Sequence, residues 1–474
     1  MRPLGSFCWA MTLLLSAAIV GGVKAEEATA ERYVPSPYVK FDHAEWTRDA
    51  VIYQMNTRQF TKEGTFKAAQ QHLPRLAELG VDIIWLMPIH PIGEVNRKGA
   101  MGSPYAVYDY RAVNSDLGEE ADLREFVDGA HGLGIRVILD WVANHSAWDN
   151  PLTEKHPDWY TRTPEGDMTP PLGTDWTDTV DFDYAQAGLR EYMTESLVYW
   201  VREFGIDGYR ADVAGYVPLD FWETARAELN KVKPVFMLAE WETPDLHRNA
   251  FDATYAWGWK NAMKEVVSDG NPGAIRGYYS NQQSTWPVNG YRMVYTDNHD
   301  QNAWDGVAEE IYGDAYEAAI ALSFVGSGMP LIYNGQEADL AHQLSFFDKD
   351  EIAWKTGRRE PLLKTLIALK HSTPALWNGG AGAAMISVPN SKEDQVLSFV
   401  RGDKASKIFA VFNLSKETAA VSFSKLRHAG TYTDVISDDR FIFAGDDSLE
   451  LPAWSFRIFK ETSSGSGPAD QIAP

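Results

Sequence analysis

The sequence predicts an α/β chain: a (β/α)8 barrel with a loop subdomain after its third strand, followed by a C-terminal antiparallel β-sandwich. Three observations carry this. Short β-branched and aromatic runs alternate with amphipathic helical stretches over roughly 330 residues. The rhythm breaks once, after the third run, in a segment rich in Trp, Pro, Thr and Asp. From about Ile386 the pattern becomes short strands with no helix between them.

The elements follow in order. Residues 1–25 read as a secretory signal: Arg2 is a basic start, 9–22 is apolar, and Val23-Lys24-Ala25 places small residues at the cleavage positions. That stretch is short for a membrane span and no later one is long enough, so a secreted or periplasmic protein with no span after cleavage is expected. Cys8, the single cysteine, leaves with the signal, so the mature chain has neither disulfide nor thiol chemistry. Residues 26–45 are a polar lead-in. The strand runs are 51–55, 81–87, 135–141, 208–213, 235–240, 253–257, 292–296 and 330–333. Between them, 66–79 carries Leu73, Leu76 and Leu79 on one helical face and stops at Gly80, and 189–204 stops at Gly205. Eight such units favour a closed barrel, although a doubly wound open sheet satisfies the same periodicity. The segment 146–184 is too long for a simple strand-to-helix loop and reads as an excursion over one face. Residues 46–384 form the barrel domain and 385–461 the β domain, with strands at 395–400, 407–413, 419–423 and 455–459. Residues 462–474, rich in Ser, Gly and Pro, read as a disordered tail.

The formal charge of −23 argues against nucleic acid, which is held by clustered Lys and Arg, and against an anionic membrane surface. A neutral substrate is indifferent to it.

In a barrel of this kind, functional groups collect where strands end on one face. Four runs end in charged residues. The third gives Asp140, Asn144 and His145; the fourth gives Arg210 and Asp212, two apart and so on one side of the strand; the fifth gives Glu240; the seventh gives Asp297, His299 and Asp300. Each alone has a plain structural explanation as a cap, a turn or an ion pair. Their recurrence at the same end of four strands points to a shared purpose, because burying so many charges is costly unless they pair or act. Cleaving a glycosidic bond with retention takes a carboxylate nucleophile and a carboxylic acid about 5–5.5 Å apart. Asp212 beside Arg210 suits the first role, and Glu240, between Leu238-Ala239 and Trp241, suits the second.

The ordered set Asp140–His145 (DxVxNH), Gly208–Asp212 (GxRxD), Glu240 and His299-Asp300 resembles the motifs of the α-amylase family of glycoside hydrolases. GVDIIWLMPI, GSPYAVYDY and GMPLIYNGQE are similar to the family's supporting stretches, so the likeness runs from about Val51 to Glu337. The resemblance implies a closed barrel, Asp212 as nucleophile, Glu240 as acid/base and Asp300 as the third carboxylate. It further implies that Arg210 orients Asp212, that His145 and His299 bind the sugar at the cleavage point, that Tyr105 stacks under it, and that Asp140 supports the floor. Trp141, Trp176 and Trp241 are candidates for further stacking or for packing. Two departures stand out. Many members follow the nucleophile with a Lys-His pair on the acceptor side, where this chain has Val213-Ala214-Gly215-Tyr216. The short motif before the fourth strand survives only as Val180-Asp181-Phe182-Asp183, so Asn144, Asp181 and Asp183 are either structural calcium ligands or a hydrogen-bonded loop without metal. No cofactor is needed for the chemistry itself. The expected substrate is an α-1,4-glucan or maltooligosaccharide and the expected state a monomer. Transglycosylation shares the same intermediate and stays open. A catalytically silent glycan-binding chain would be expected to lack one of the three carboxylates, and all are present.

Overall fold

The computed structural model describes residues 42–424, 426–445 and 447–462; the signal, most of the lead-in and the tail from 463 lie outside these. In chain order the strands are β1 (Ile52–Met55), β2 (Ile83–Leu86), β3 (Arg136–Trp141), the short pair β4 (His145–Ala147) and β5 (Thr179–Asp181), then β6 (Gly208–Ala211), β7 (Phe236–Ala239), β8 (Ala253–Tyr255), β9 (Tyr291–Tyr295) and β10 (Met329–Tyr333). All but β4 and β5 are parallel and close into a barrel in the order β1-β10-β9-β8-β7-β6-β3-β2. The open sheet is thereby set aside, and all eight predicted runs are strands.

Parallel strands covered by helices are apolar on both faces, which is why these runs read as continuous rather than alternating. The period of two reappears in what each face touches. Ile52, Ile83, Trp85, Ile138, Leu238 and Met293 fill the barrel interior. Their neighbours Tyr53, Ile84, Val137, Leu139, Met237 and Val294 pack outward against the helices. At the carboxyl end the interior positions turn polar: Gln54 lies two residues beyond Ile52, Asp140 two beyond Ile138, and Glu240 two beyond Leu238. Asp140 and Arg210 are direct register partners across β3 and β6. The core thus gives way to charge in one layer. Gly208 begins β6 with φ +154°, and an added Cβ would lie 1.8 Å from the Phe236 carbonyl oxygen, so only glycine lets β6 approach β7.

The helix Ala187–Phe204 matches its predicted stripe, burying Leu189, Met193, Leu197 and Trp200, and ends at Gly205 with φ +70°. The stretch 66–79 does not form one helix. It divides into Phe66–Gln70, capped by the Thr65 hydroxyl, and Leu73–Leu79, with Pro74 in its first turn. Proline there cannot donate to the carbonyl four residues back and its ring crowds that carbonyl, so the chain restarts. The predicted excursion is the antiparallel β4–β5 pair and the loop between them. Tyr184 Oη anchors it on the Ala143 carbonyl at 2.8 Å.

The C-terminal strands are β11 (Met385–Ser387), β12 (Val396–Gly402), β13 (Lys407–Asn413), β14 (Ala419–Ser422), β15 (Gly430–Asp434), β16 (Arg440–Phe443), β17 (Ser448–Leu451) and β18 (Phe456–Glu461). Six form one sheet, β11-β12-β13-β18-β15-β16, and β14 pairs with β17. Val396, Phe409 and Phe459 of the larger sheet share a core with Val421 and Leu451 of the smaller one, which makes the domain a sandwich. Four of these eight strands were expected. β15 carries Tyr432 as its one large apolar residue, and β16 and β17 each expose their first and third residues, so none shows the buried run or clean alternation that marked the others. Buried Arg401 donates to the Gly326 carbonyl at 2.6 Å and to that of Trp377 at 3.2 Å, tying the sandwich to the barrel. No helix of the described residues is long and apolar enough to cross a membrane.

Candidate active site

At the carboxyl end of the barrel a cavity of about 570 Å³ opens over the polar layer. Tyr105, His145, Asp212, Glu240, His299 and Asp300 line it. The resemblance had implied this grouping, and these six come together although they are spread over 196 positions of chain, from 105 to 300.

Arg210 organises the floor. Its guanidinium is fully buried; Nη1 donates to Asp140 Oδ1 at 2.8 Å and to Asp212 Oδ1 at 2.7 Å. Nη2 lies 2.9 Å from Glu240 Oε1, out of line for a hydrogen bond. One cation therefore faces both expected reacting carboxyls, which holds them on the same side of the cavity. Period two on β6 puts Arg210 and Asp212 on one side, and β7 beside β6 brings Glu240 to them. Burial holds the Glu240 carboxyl well above the ordinary glutamate range; Arg210 pulls it down, while the charges of Asp212 and Asp300 push it up further. Its Oε2 accepts from the Val213 backbone N–H at 2.7 Å. Val213 reaches that position with φ 36° and ψ 48°, a left-handed conformation that a β-branched residue adopts only under strain.

Around Asp140 the donors converge. Trp85 Nε1–H donates to Oδ2 at 3.1 Å, and Tyr105 Oη–H donates to the same atom at 3.1 Å. Burial raises Asp140 to about 7 against the pull of Arg210. Tyr105 Oη also sits 2.7 Å from His299 Nε2, and Gln54 Nε2 lies 2.7 Å from His299 Nδ1. Because the Gln54 side-chain oxygen accepts the His299 backbone N–H, its amide nitrogen is the donor to Nδ1, and the proton of the ring is then on Nε2. The network therefore runs Gln54 to His299 to Tyr105 to Asp140 with one direction of donation. Burial lowers His299 to about 4 and also lowers His145, so both rings are neutral hydrogen-bonding groups near neutral pH. Asp300 is the most open of the three carboxylates, 41% exposed, with Oδ2 3.3 Å from His299 Nε2.

Several sequence expectations shift here. Trp141 is fully buried against His90, Tyr110 and Tyr209 and belongs to the core between strands and helices, not to the cavity wall. Trp241 lies behind the wall, its indole against Gly215, Tyr216 and Trp257; a Cβ on Gly215 would come within 2.1 Å of it. Trp176 does line the cavity, tilted against His145 at 5.3 Å. Of the calcium candidates, Asn144 Nδ2 and Asp181 Oδ1 meet at 3.4 Å, but the Asp183 carboxylate accepts from the Ala185 N–H and Gln186 Nε2. It serves the start of the following helix. Two groups joined by their own hydrogen bond supply fewer oxygens than calcium takes, so the three residues as placed do not fit that ion. Sequence reasoning missed Gln54, Trp85, Lys98, Trp304, Phe346 and Phe347. Gln54 was legible as a polar residue inside an apolar run; the last four sit on loops whose spacing carries no signal.

The comparisons with known proteins agree with this geometry. The family model described as the α-amylase catalytic domain matches residues 40–375, and that of the maltogenic amylase C-terminal domain matches residues 386–458. The crystal structure of a noncanonic maltogenic α-amylase AmyB from Thermotoga neapolitana superposes with a TM-score of 0.80 at 30% identity, covering 87% of this chain and 99% of that one. The α-amylase MalA of Haloarcula japonica is 28% identical over 88% of this chain, which spans 63% of the relative's length. An α-1,4-glucan:maltose-1-phosphate maltosyltransferase of Mycobacterium tuberculosis is 32% identical over 44% of this chain and 33% of its own length.

Proposed function

Because the chain belongs to the α-amylase family of glycoside hydrolases, we propose that it hydrolyses α-1,4-glucosidic bonds of starch-type glucans or maltooligosaccharides with retention of configuration. The observation that carries this reading is the single buried guanidinium of Arg210 facing both Asp212 and Glu240. It sets a cation directly against the Asp212 carboxyl, while burial holds the Glu240 carboxyl well above the ordinary glutamate range.

In the first step the Asp212 carboxylate attacks the anomeric carbon. The glycosidic C–O bond breaks, the Glu240 proton passes to the departing oxygen, and a glycosyl-Asp212 ester remains. In the second step Glu240, now a carboxylate, takes a proton from water. That oxygen displaces Asp212 and Glu240 is reprotonated. Asp300 and neutral His145 and His299 bind hydroxyls of the distorting ring, and Tyr105 offers its face. The two carboxyls supply nucleophile and acid, so the reaction as written draws on no cofactor. The sequence of residues 1–25 supports export to a periplasm or the medium.

A sugar hydroxyl in place of water makes the same intermediate a transglycosylation, and Val213-Ala214-Gly215-Tyr216 where many relatives carry Lys-His keeps that reading in play. A time course of products from maltoheptaose separates the two. Only shorter sugars, formed with retained anomer, support hydrolysis; sugars longer than the substrate, appearing early, show transfer. Glu240→Gln should lower turnover about 10²- to 10⁴-fold while leaving glucan binding intact. Near-normal turnover in that variant would overturn the acid/base assignment.

A further inference from the structure

Two residues beyond Glu240, the Glu242 carboxylate makes an ion pair that the reaction as written does not use. Its partner is the buried guanidinium of Arg292 on β9, whose Nη2 donates to Glu242 Oε1. Arg292 Nη1 donates to Thr254 Oγ1 of β8 at 2.8 Å, and the guanidinium lies over the Trp286 ring, 3.4 Å from its centroid. The second carboxylate oxygen, Glu242 Oε2, accepts from the Gly258 N–H at 3.0 Å, in the first turn of the helix Trp257–Asp269. One carboxylate is therefore gripped by two other elements.

The register explains how Arg292 reaches it. Ala239, Thr254 and Arg292 are partners across β7, β8 and β9, a row that lies one residue below Glu240. Tyr291 and Met293 fill the barrel interior, so Arg292 between them faces outward and crosses β8 on the helix side. It meets the chain just where β7 ends. On the cavity side, the Glu240 backbone N–H is tied to the Ala211 carbonyl at 3.0 Å and its Oε2 to the Val213 N–H at 2.7 Å. Trp241, between the two glutamates, packs against Gly215 and Trp257. A buried ion pair adds little net stability, since both charges give up water and an apolar pair of like volume often does as well; its best-attested use is to fix register. Register matters at this point of the chain. A general acid must stand within about 3.2 Å of the oxygen it protonates, and a misplacement of about 1 Å costs about 10²-fold in rate.

We propose that Glu242, clamped by Arg292, is a positioning residue for Glu240. It touches no substrate; it fixes the turn after β7 so that the Glu240 carboxyl meets the departing oxygen. This rests on the glucan-cleaving reading above.

The test compares kcat/KM on maltoheptaose with that on α-maltosyl fluoride. This constant reports only the first displacement, and fluoride departs without needing a proton from the enzyme. Glu242→Leu removes the clamp, and Glu242→Leu/Arg292→Met removes it without leaving a buried cation unpaired, so the double variant keeps the fold. Both should lose about tenfold or more on maltoheptaose and stay within about twofold of wild type on the fluoride. Glu242→Gln, which still accepts from Arg292 and Gly258, should recover most of the maltoheptaose activity. Equal losses on the two substrates, the mark of a merely structural role, would overturn the proposal. So would a folded double variant with wild-type kcat/KM on maltoheptaose. A wild-type protein that cleaves neither substrate would sink the glucan-cleaving reading itself, an outcome distinct from an active enzyme whose variants show no dependence on the leaving group.

Discussion

Replacing Arg210 by methionine removes one cation from a layer that buries Asp140, Asp212 and Glu240 together. Breaking a buried ion pair by deleting one partner costs about 3–5 kcal/mol, because the other charge is left without compensation. With unfolding entropy of ~2.1 cal/mol/K per residue across the described residues, this corresponds to a fall in Tm of ~3–6 °C. The deficit has a sign in pH. Burial already raises Asp140 to about 7 with Arg210 present; without that cation its carboxyl rises further above the unfolded value of roughly 4. The native state of the variant then binds more protons than the unfolded state, so its stability falls as pH rises above about 4. Wild type shares that fall up to about pH 7, so thermal melts of wild type and Arg210→Met from pH 5 to 9 should keep a constant separation below about pH 7 and diverge above it. A separation that stays constant from pH 7 to 9 would refute the claim that Arg210 compensates these carboxyls. Arg210→Lys should recover only part of the loss, since an ammonium cannot span the same oxygens.

Burial alone would raise Asp252, but Arg226 at 2.6 Å and His43 overturn that and hold it at about 2. A depressed carboxylate contributes stability above its unfolded value and loses it as pH falls, so about 2–3 kcal/mol should vanish between roughly pH 4 and pH 2. Asp252→Asn should flatten that decline in urea-unfolding curves; an unchanged acid limb would contradict it. Gly208→Ala forces a Cβ onto the Phe236 carbonyl and should abolish soluble expression or cost more than about 4 kcal/mol, and a variant with wild-type Tm would disprove the packing. The kcat/KM profile should keep its alkaline limb well above the ordinary glutamate range, since burial first and neighbouring carboxylates second retain the Glu240 proton. No limb near 6.5 should arise from His299, which burial keeps neutral above about 4.

Much of this fold was legible in the chain because parallel barrel strands are short, apolar and regularly spaced. All eight were found, and the period of two on β6 already placed Arg210 beside Asp212. The break at Pro74 was legible too, but the stripe of Leu73, Leu76 and Leu79 outweighed one proline in the reading. The edge strands of the sandwich escaped because half-exposed strands carry weak patterns. Within the site, strand-end charges announced themselves, whereas Trp304 and Phe346 depend on how two loops are cross-linked. Trp141 shows the converse: a tryptophan directly after the motif aspartate was open to sugar stacking or to packing, and the strand pleat turns it outward into the helices.

In the proposed reaction Asp212 carries the sugar between two displacements. Incubation with a fluorinated maltosyl fluoride that slows release, followed by proteolysis and mass spectrometry, tests it directly. One added glycosyl mass is expected, confined to the peptide that contains Asp212 and absent from Asp212→Asn. A label on another residue, or turnover of the natural substrate with inverted anomer and no trapped ester, would contradict it.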